Sequence, residues 1–161
     1  VAEYIAETID KTEIRSRVVV VPDGEVALSE IFRKRKFQIV KNKTAELGQG
    51  ASLSLGVLAL QQDAGVRAVF VCLADMPFIQ AEMFTDLASK IDGRQAAVCT
   101  EGTRYTPPAL FTRAIFPALI SLTGDQGAKH ILSALTDVGK VAVSAAYLKD
   151  IDRPEDLLAD E

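Results

Sequence analysis

The sequence predicts an α/β fold in which a doubly wound, mostly parallel sheet carries helices on both faces. Short apolar runs such as residues 18–21 and 68–73 are rich in β-branched side chains and are typical of strands buried on both sides. These runs alternate along the chain with segments of helical periodicity, the order that parallel strands with crossover helices require. Ligands of such sheets bind at the carboxyl ends of the strands, so functional residues are expected there.

Helices and strands are predicted along the whole chain. Val1, Ile5 and Ile9 recur every fourth residue and indicate an amphipathic opening helix. The basic cluster 33–36 ends the second helix, where positive charge suits the helix dipole, and we interpret it as solvated. The predicted strands, each an apolar run bounded by turn residues, are 17–22, 37–40, 68–73, 96–100, 109–111, 141–143 and 146–148. The predicted helices are 1–9, 26–32, 50–60, 81–91, 113–122 and 127–135, with a last one beginning at Asp152.

The composition describes one ordinary domain. The chain has 161 residues, 48% of them hydrophobic and 25% charged, and it shows neither a repeat nor a linker, so residues 1–161 are expected to form a single domain. The net charge of −4 argues against a general nucleic-acid or anionic-membrane surface, because both require a basic face. No run reaches the ~18 consecutive apolar residues of a membrane span. No signal peptide is visible either, and a cytoplasmic location is expected because the two cysteines are expected to stay reduced.

Two cysteines and one histidine limit the chemistry further. Cys72 and Cys99 each lie inside an apolar run, so we expect buried, reduced thiols rather than a disulfide or a nucleophile. His130 is the only histidine and no Cys-x-x-Cys pair accompanies it, which excludes a multi-histidine or thiolate zinc site. Any metal is therefore expected to be a hard cation bound by carboxylates.

The first candidate for chemistry is Asp75, in the segment 73–77 that follows the most apolar strand. A carboxylate at the carboxyl end of a buried strand lies where an α/β sheet binds its ligand. Pro77 fixes the local backbone and blocks extension of the strand. Magnesium prefers one or two carboxylates together with phosphates and waters, so Asp75 suits Mg²⁺ bound to a phosphate. The alternative is that Asp75 only caps the turn into the next helix.

The second candidate is the glycine- and serine-containing segment 48–56. Gly48 and Gly50 allow the backbone to approach a ligand closely, and the amides in the first turn of the next helix attract anions or ribose oxygens. A Gly-x-Gly pattern is weak evidence by itself. Ser52 and Ser54 are equally well explained as helix caps.

The third candidate is Asp150, in the segment 150–156. Asp152 and Glu155, with Pro154 between them, form a capping box that explains Asp152 locally. Asp150 has no such local role and is expected to face the site. Asp75 and Asp150 together would suit a divalent metal with phosphate, although their spacing in the chain does not show that they meet.

In this order, the segments resemble the MobA-like nucleotidyltransferases, and among these the molybdenum-cofactor cytidylyltransferase branch. The resemblance covers nearly the whole chain and rests on residues 48–56, 73–77, 108–111, 116–119, 122–129 and 150–157. The Leu-x-Asp-Met-Pro motif is shared across the broader family. The Gly-Asp-x-Gly-Ala-basic block at 124–129 is more characteristic of the cofactor branch.

The resemblance implies a Rossmann-like fold of the nucleotide-diphospho-sugar transferase type and divides the matching residues into three groups. The residues implied to be catalytic and to bind Mg²⁺ are Asp75 and Asp150. Those implied to bind the nucleotide are Gly48, Gly50, Ser52, Leu73 and Asp75. Those implied to bind the acceptor are Asp125 and Lys129, and Asp125 is equally well explained as a helix cap.

The reaction implied by the resemblance is transfer of CMP or GMP from CTP or GTP to the terminal phosphate of molybdopterin, with CTP slightly preferred. Pyrophosphate is released, in the course of molybdenum cofactor biosynthesis. One alternative keeps nucleotidyl transfer but changes the acceptor to a sugar phosphate or a phospholactate. Another is a non-catalytic module that holds cofactor for insertion into a molybdoenzyme, which would then be a partner.

One feature of the family has no match in this sequence. The family opens with a strand and a glycine-rich loop of the form Leu-Ala-Ala-Gly-x-x-x-Arg-x-Gly-x-x-Lys, which wraps the triphosphate. Residues 1–10 correspond to the helix after that loop. We therefore expect the chain to lack the family's first strand and phosphate loop, and expect the sheet edge left open to favour association.

Overall fold

The structure, a computed structural model, describes residues 1–149 and confirms the predicted α/β class. Over these residues the α-helices are α1 (Ala2–Asp10), α2 (Val26–Arg33), α3 (Gln49–Leu60), α4 (Ala81–Ser89), α5 (Phe116–Ile120) and α6 (Ala128–Leu132). The strands are β1 (Val18–Pro22), β2 (Gln38–Asn42), β3 (Ala68–Val71), β4 (Ala96–Glu101), β5 (Arg104–Thr112) and β6 (Val138–Ala142). No helix within this part of the chain is long and apolar enough to cross a membrane.

The six strands form two sheets. β1 and β2 pair in parallel, with Val18 opposite Gln38. The second sheet has the order β3-β5-β4-β6, in which β6 runs parallel to β4 while β5 is antiparallel to both of its neighbours. β5 reverses direction because it follows β4 through a two-residue hairpin loop that starts at Gly102, where φ is +58°. A glycine at this position is typical of such loops, since other residues rarely adopt positive φ.

Helices cover both faces of the second sheet, as the doubly wound arrangement requires. Along β4, Ala97 and Cys99 belong to the core cluster that also contains side chains of α1, α2 and α4. Ala96 and Val98 belong to the opposite cluster, which contains side chains of α3, α5 and α6. All four residues are fully buried, so the strand is apolar without alternation because each of its faces packs on helices.

The basic cluster at the end of α2 is not wholly solvated, so that interpretation is wrong for Arg35. Its guanidinium contacts Glu7 at 2.9 Å and Asp10 at 3.2 Å, and thereby ties α2 to α1. Arg17 donates to Asp10 at 2.5 Å and to the carbonyl of Arg35 at 3.1 Å. The hydrogen bond from Arg17 is the main cause that lowers the pKa of Asp10. Stabilisation from this carboxylate is therefore present above the ordinary pKa of an aspartate and is lost as the pH falls through the lowered value.

The last predicted strand is wrong within the described residues. Residues 145–147 form a single 3₁₀ turn, in which the hydroxyl of Ser144 accepts a hydrogen bond from the amide of Ala146. A serine that bonds its own neighbouring backbone offers the chain an alternative to strand pairing. The predicted helix from Asp152 lies outside the described residues.

Both cysteines are free thiols, as predicted. Cys99 is fully buried and Cys72 is partly buried against the same core cluster. Burial raises the pKa of each thiol to about 12, and the nearby charges of Cys99 on Cys72 and of Asp86 on Cys99 act in the same direction. Thiolate, the reactive species, is therefore scarce at neutral pH.

We expect iodoacetamide to alkylate the folded protein at pH 8 roughly a thousandfold more slowly than a thiol with a pKa of about 9, because the pKa values are raised to about 12. The rate of alkylation should rise as the pH approaches the raised pKa of about 12. Mass spectrometry of the single variants Cys72→Ser and Cys99→Ser assigns each label, and unfolding in guanidinium serves as the control that frees both thiols. Rapid labelling of either thiol in the folded chain at pH 8 would contradict the prediction.

Candidate functional site

A cavity of about 510 Å³ lies between the two sheets. Consecutive residues of β1, 18–20, line one side of it, and consecutive residues of β3, 69–71, line the other. Because neighbouring residues of a strand point to opposite faces, a run of consecutive lining residues means that the strand edge itself faces the cavity. Among the described strands, β1 pairs only with β2 and β3 only with β5, so each presents an edge without a strand partner here.

The walls of this cavity are mostly apolar, and its polar side chains come from the starts of two helices and from β5. Gln49 and Ser52 lie at the start of α3, while Gly127 and Lys129 lie around the start of α6. Gln49 and Gly127 are neighbours, since a Cβ added to Gly127 would lie 2.7 Å from the Gln49 side-chain oxygen. Lys129 is the only charged residue that lines the cavity within the described part of the chain. An apolar pocket with a few polar groups and one cation suits a flat ring that bears phosphate.

The glycines of segment 48–50 pack directly on the loop that precedes α6. The amide of Gly50 donates to the carbonyl of Gly124 at 2.8 Å, so that amide is bonded within the protein. A Cβ at Gly50 would lie 2.7 to 2.9 Å from three backbone oxygens of residues 123–126. A Cβ at Gly48 would lie 2.5 Å from the carbonyl of Gly124, and Gly48 also has a φ of +111°. Two motifs that are far apart in the sequence thus form one structural unit, and this contact explains the glycines.

Asp125 belongs to the same unit, where its carboxylate lies beside Gly48 and the side chain is exposed. The alternative that Asp125 caps the next helix is wrong, because α6 begins at Ala128 and its N-cap residue is Gly127.

Ser52 and Ser54 are not helix caps either, because α3 begins at Gln49 with Gly48 as its N-cap. Ser54 donates to the carbonyl of Ile120 at 2.5 Å and thereby ties α3 to α5. Ser52 lines the cavity and accepts a hydrogen bond of 2.9 Å from the side-chain amide of Asn42. The sequence reasoning missed Asn42. It ends β2, so the rule that singled out Asp75 after β3, a polar residue at the carboxyl end of a strand, would have found it.

Asp75 lies in the turn after β3, and its side chain is exposed. Leu73 and Ala74 line the cavity immediately before it, and the buried side chains of Met76 and Ile79 anchor the turn immediately after it. Asp75 is not the N-cap of α4, which is Gln80, but it does lie in the turn that leads to that helix, so the alternative that it only caps this turn stays a prediction. The fold therefore places Asp75 directly after two residues that line the cavity.

The second predicted metal ligand, Asp150, lies outside the described residues, so its distance from Asp75 stays a prediction. Within residues 1–149, no group of three or more His, Cys, Asp or Glu side chains is placed to hold a metal ion. One exposed carboxylate beside a cavity fits Mg²⁺, since this ion needs only one or two carboxylates when phosphates and waters complete its shell. It does not fit a metal held entirely by protein.

Comparison with known proteins identifies the family. The family model described as the MobA-like NTP transferase domain matches residues 1–138. The purine catabolism protein PucB of Bacillus subtilis (strain 168) is 34% identical over 128 residues, which are 78% of this chain and 61% of PucB. The chain thus spans about three-fifths of the length of this relative.

Solved structures share the fold at lower identity. A homologue of Mycobacterium tuberculosis Rv0371c from Mycobacterium sp. strain JC1 matches with a TM-score of 0.76 and 23% identity, over 98% of this chain and 79% of that chain. Rv0371c from M. tuberculosis H37Rv in complex with manganese matches with a TM-score of 0.74 and 18% identity, over 97% of this chain and 83% of that chain. The 4-diphosphocytidyl-2C-methyl-D-erythritol synthase of Anaerococcus prevotii matches with a TM-score of 0.76 and 16% identity, over 98% of this chain and 82% of that chain.

Proposed function

Because the chain belongs to the MobA-like NTP transferase domain family, we propose that it serves nucleotidyl transfer from a nucleoside triphosphate to a phosphorylated acceptor. The cavity between the two sheets is the observation that carries this proposal. Its walls are mostly apolar, and residues 73–74, the start of α3 and the start of α6 line it. An apolar cleft bordered by strand ends and helix starts suits a base and its phosphates.

The nucleotide and the acceptor are proposed to share this cavity. Ser52 and Leu73 face the nucleotide, and Gly48 and Gly50 fix the start of α3, which presents Ser52. Lys129, the cation of the cavity lining, faces the acceptor phosphate. Asp125 belongs to the same motif and lies in the loop before α6, beside Gly48. Lys129 is exposed at the edge of the cleft, where its positive charge attracts phosphate oxygens.

In the proposed reaction, an oxygen of the acceptor's terminal phosphate attacks the α-phosphorus of the nucleotide. A new P–O bond forms at that atom, the bond to the bridging oxygen of the β-phosphate breaks, and pyrophosphate leaves with that electron pair. Asp75 and Asp150 would hold Mg²⁺, which when bound neutralises charge on the phosphates. The protein supplies no covalent intermediate, so the positions of the two substrates and the neutralisation of their charge account for the rate.

We also propose that a further strand, bearing the family's phosphate-binding loop, pairs in the space between β1 and β3. Both strands present an edge to the cavity, and these edges have no partner strand among the described residues. Unpaired backbone amides and carbonyls in an apolar cleft are costly, so a strand bonded to both edges would remove that cost. No segment of the 161 residues has the sequence of that loop.

The finer proposal is molybdopterin as the acceptor, CTP as the preferred nucleotide over GTP, Mg²⁺ as the metal and the cytoplasm as the location. The Gly-Asp-x-Gly-Ala-basic block at 124–129 supports it, and the structure places that block against the start of α3. The module that only holds cofactor for a molybdoenzyme is the second candidate.

We expect pyrophosphate release with CTP and molybdopterin, less with GTP, and none when EDTA removes the metal. The assay crosses CTP, GTP and ATP with molybdopterin, a sugar phosphate and a phospholactate. It is run on the chain alone and on the chain preceded by a strand and loop of the family's form. Turnover with a sugar phosphate alone would replace the proposed acceptor. Tight molybdopterin binding with no pyrophosphate release in either form would instead support the non-catalytic module.

A further inference from the structure

Asn42 is a buried polar side chain whose amide oxygen and amide nitrogen both form hydrogen bonds. It ends β2 and is only 2% exposed. Its Oδ1 accepts from the backbone amide of Thr44 at 2.9 Å and from the Thr44 hydroxyl at 3.1 Å. Its Nδ2 donates to Oγ of Ser52 at 2.9 Å. One side chain therefore joins the end of β2, the loop that follows it and the first turns of α3.

These contacts determine which way the Asn42 amide faces. A backbone N–H can only donate, so the atom of Asn42 next to the Thr44 amide must be the oxygen. The nitrogen then faces Ser52, and since it carries no acceptor, the Ser52 hydroxyl must be the acceptor of that bond. The proton of the Ser52 hydroxyl consequently points away from Asn42.

The Ser52 proton has no acceptor within the described protein. Ser52 makes no second hydrogen bond among residues 1–149, and its side chain lines the cavity between the sheets. Ser54, two residues along the same helix, shows the contrasting arrangement, because its hydroxyl donates to the carbonyl of Ile120. A partly buried hydroxyl with a free proton at a cavity wall is set to donate to a bound ligand.

We propose that Asn42 is a positioning residue that holds Ser52 as a hydrogen-bond donor to an oxygen acceptor on the base or ribose of the nucleotide. This inference rests on the proposed function and extends it to a residue outside the motifs. Asn42 does not touch the ligand. It acts by donating to the Ser52 oxygen, which leaves the Ser52 proton for the nucleotide.

The variant Asn42→Asp tests this inference because it reverses one hydrogen bond and keeps the shape of the side chain. A carboxylate still accepts from the Thr44 amide but cannot donate to Ser52, so the Ser52 hydroxyl would donate to Asp and lose its proton for the ligand. We expect the Kd for CTP to rise about three- to tenfold in Asn42→Asp and by a similar factor in Ser52→Ala. The double variant should show no further loss, because both changes remove the same bond.

Calorimetric titration of the wild-type chain and these variants with CTP, repeated with uncharged cytidine, measures the effect. Cytidine separates the lost hydrogen bond from repulsion between the new carboxylate and the triphosphate, since only CTP feels that repulsion. Ser54→Ala is the matched control: it lies on the same helix, does not line the cavity and should leave the Kd unchanged. Thermal unfolding confirms that each variant is folded.

Each outcome of these titrations either supports or overturns the inference about Asn42. Matching losses in the single variants without a further loss in the double variant support the inference. Independent, additive losses overturn it, as does normal binding by Asn42→Asp or by Ser52→Ala. A wild-type chain that binds neither CTP nor cytidine overturns the proposed function, and this inference falls with it, so the two failures are distinguishable.

Discussion

Replacement of Asp75 by alanine is expected to lower Mg²⁺-dependent pyrophosphate release at least about a hundredfold. The turn that carries Asp75 is anchored by buried Met76 and Ile79, so the fold and not only its own contacts fixes Asp75 next to the cavity-lining residues 73–74. Its loss removes a proposed Mg²⁺ ligand without disturbing these anchors. The chain form that shows turnover in the pyrophosphate assay is the one to measure.

Two further variants make the Asp75 result specific. Asp75→Asn keeps the size of the side chain and removes its charge, and it should lose nearly as much activity as Asp75→Ala if charge neutralisation is the role. Asp92→Ala is the matched control, since Asp92 is an exposed aspartate near the end of α4, and it should retain wild-type turnover. Full activity in Asp75→Ala would refute the assignment of this residue to the site.

The variant Gly50→Ala is expected to destabilise the protein strongly. The added methyl group would lie within 2.9 Å of three backbone oxygens, none of which can move aside as a flexible side chain would. We expect the free energy of unfolding to fall by about 2–4 kcal/mol, since the loops must separate and the hydrogen bond from Gly50 to Gly124 weakens. Denaturant unfolding measures the change, and nucleotide binding should weaken with it because Gly50 and Ser52 lie in the first turn of the same helix, α3.

Gly102→Ala provides the comparison that isolates steric clash from backbone strain. Gly102 has a φ of +58° and nothing within 4 Å of an added Cβ, so only the left-handed backbone conformation is penalised, by about 1–2 kcal/mol. Gly50 does not have a positive φ, so the stability cost of adding a methyl group there is steric. If Gly50→Ala proved as stable as the wild type, the close packing of segments 48–50 and 124–127 would be refuted.

Much of the fold was predictable because it depends on neighbours in the chain. The apolar run 96–100 indicates a strand covered on both faces, and the structure buries Ala97 and Cys99 on one side and Ala96 and Val98 on the other. The position of Asp75 after a buried strand likewise follows from a local pattern. The reversal of β5 was not predicted, since a short apolar run carries no information about its direction relative to neighbouring strands.

The parts that were not predicted depend on partners far along the chain. Arg35 reads as one member of a basic cluster, yet Glu7 and Asp10 of α1 surround it. Asn42 reads as an ordinary polar residue at a strand end, yet its side chain is buried and directs Ser52. Such roles appear only when packing brings the partner groups within hydrogen-bonding distance.

Periodicity and motif order are properties of contiguous segments, so they were enough to predict the α/β class, the family and the candidate residues. The packing of the Gly-x-Gly motif on the Gly-Asp-Gln-Gly motif, with Gly50 bonded to Gly124, became visible in the folded chain. Only the folded chain showed that β1 and β3 face one cavity with unpaired edges among the described residues. The physical reason is that close packing and hydrogen-bond direction depend on distances in space, which no local pattern encodes.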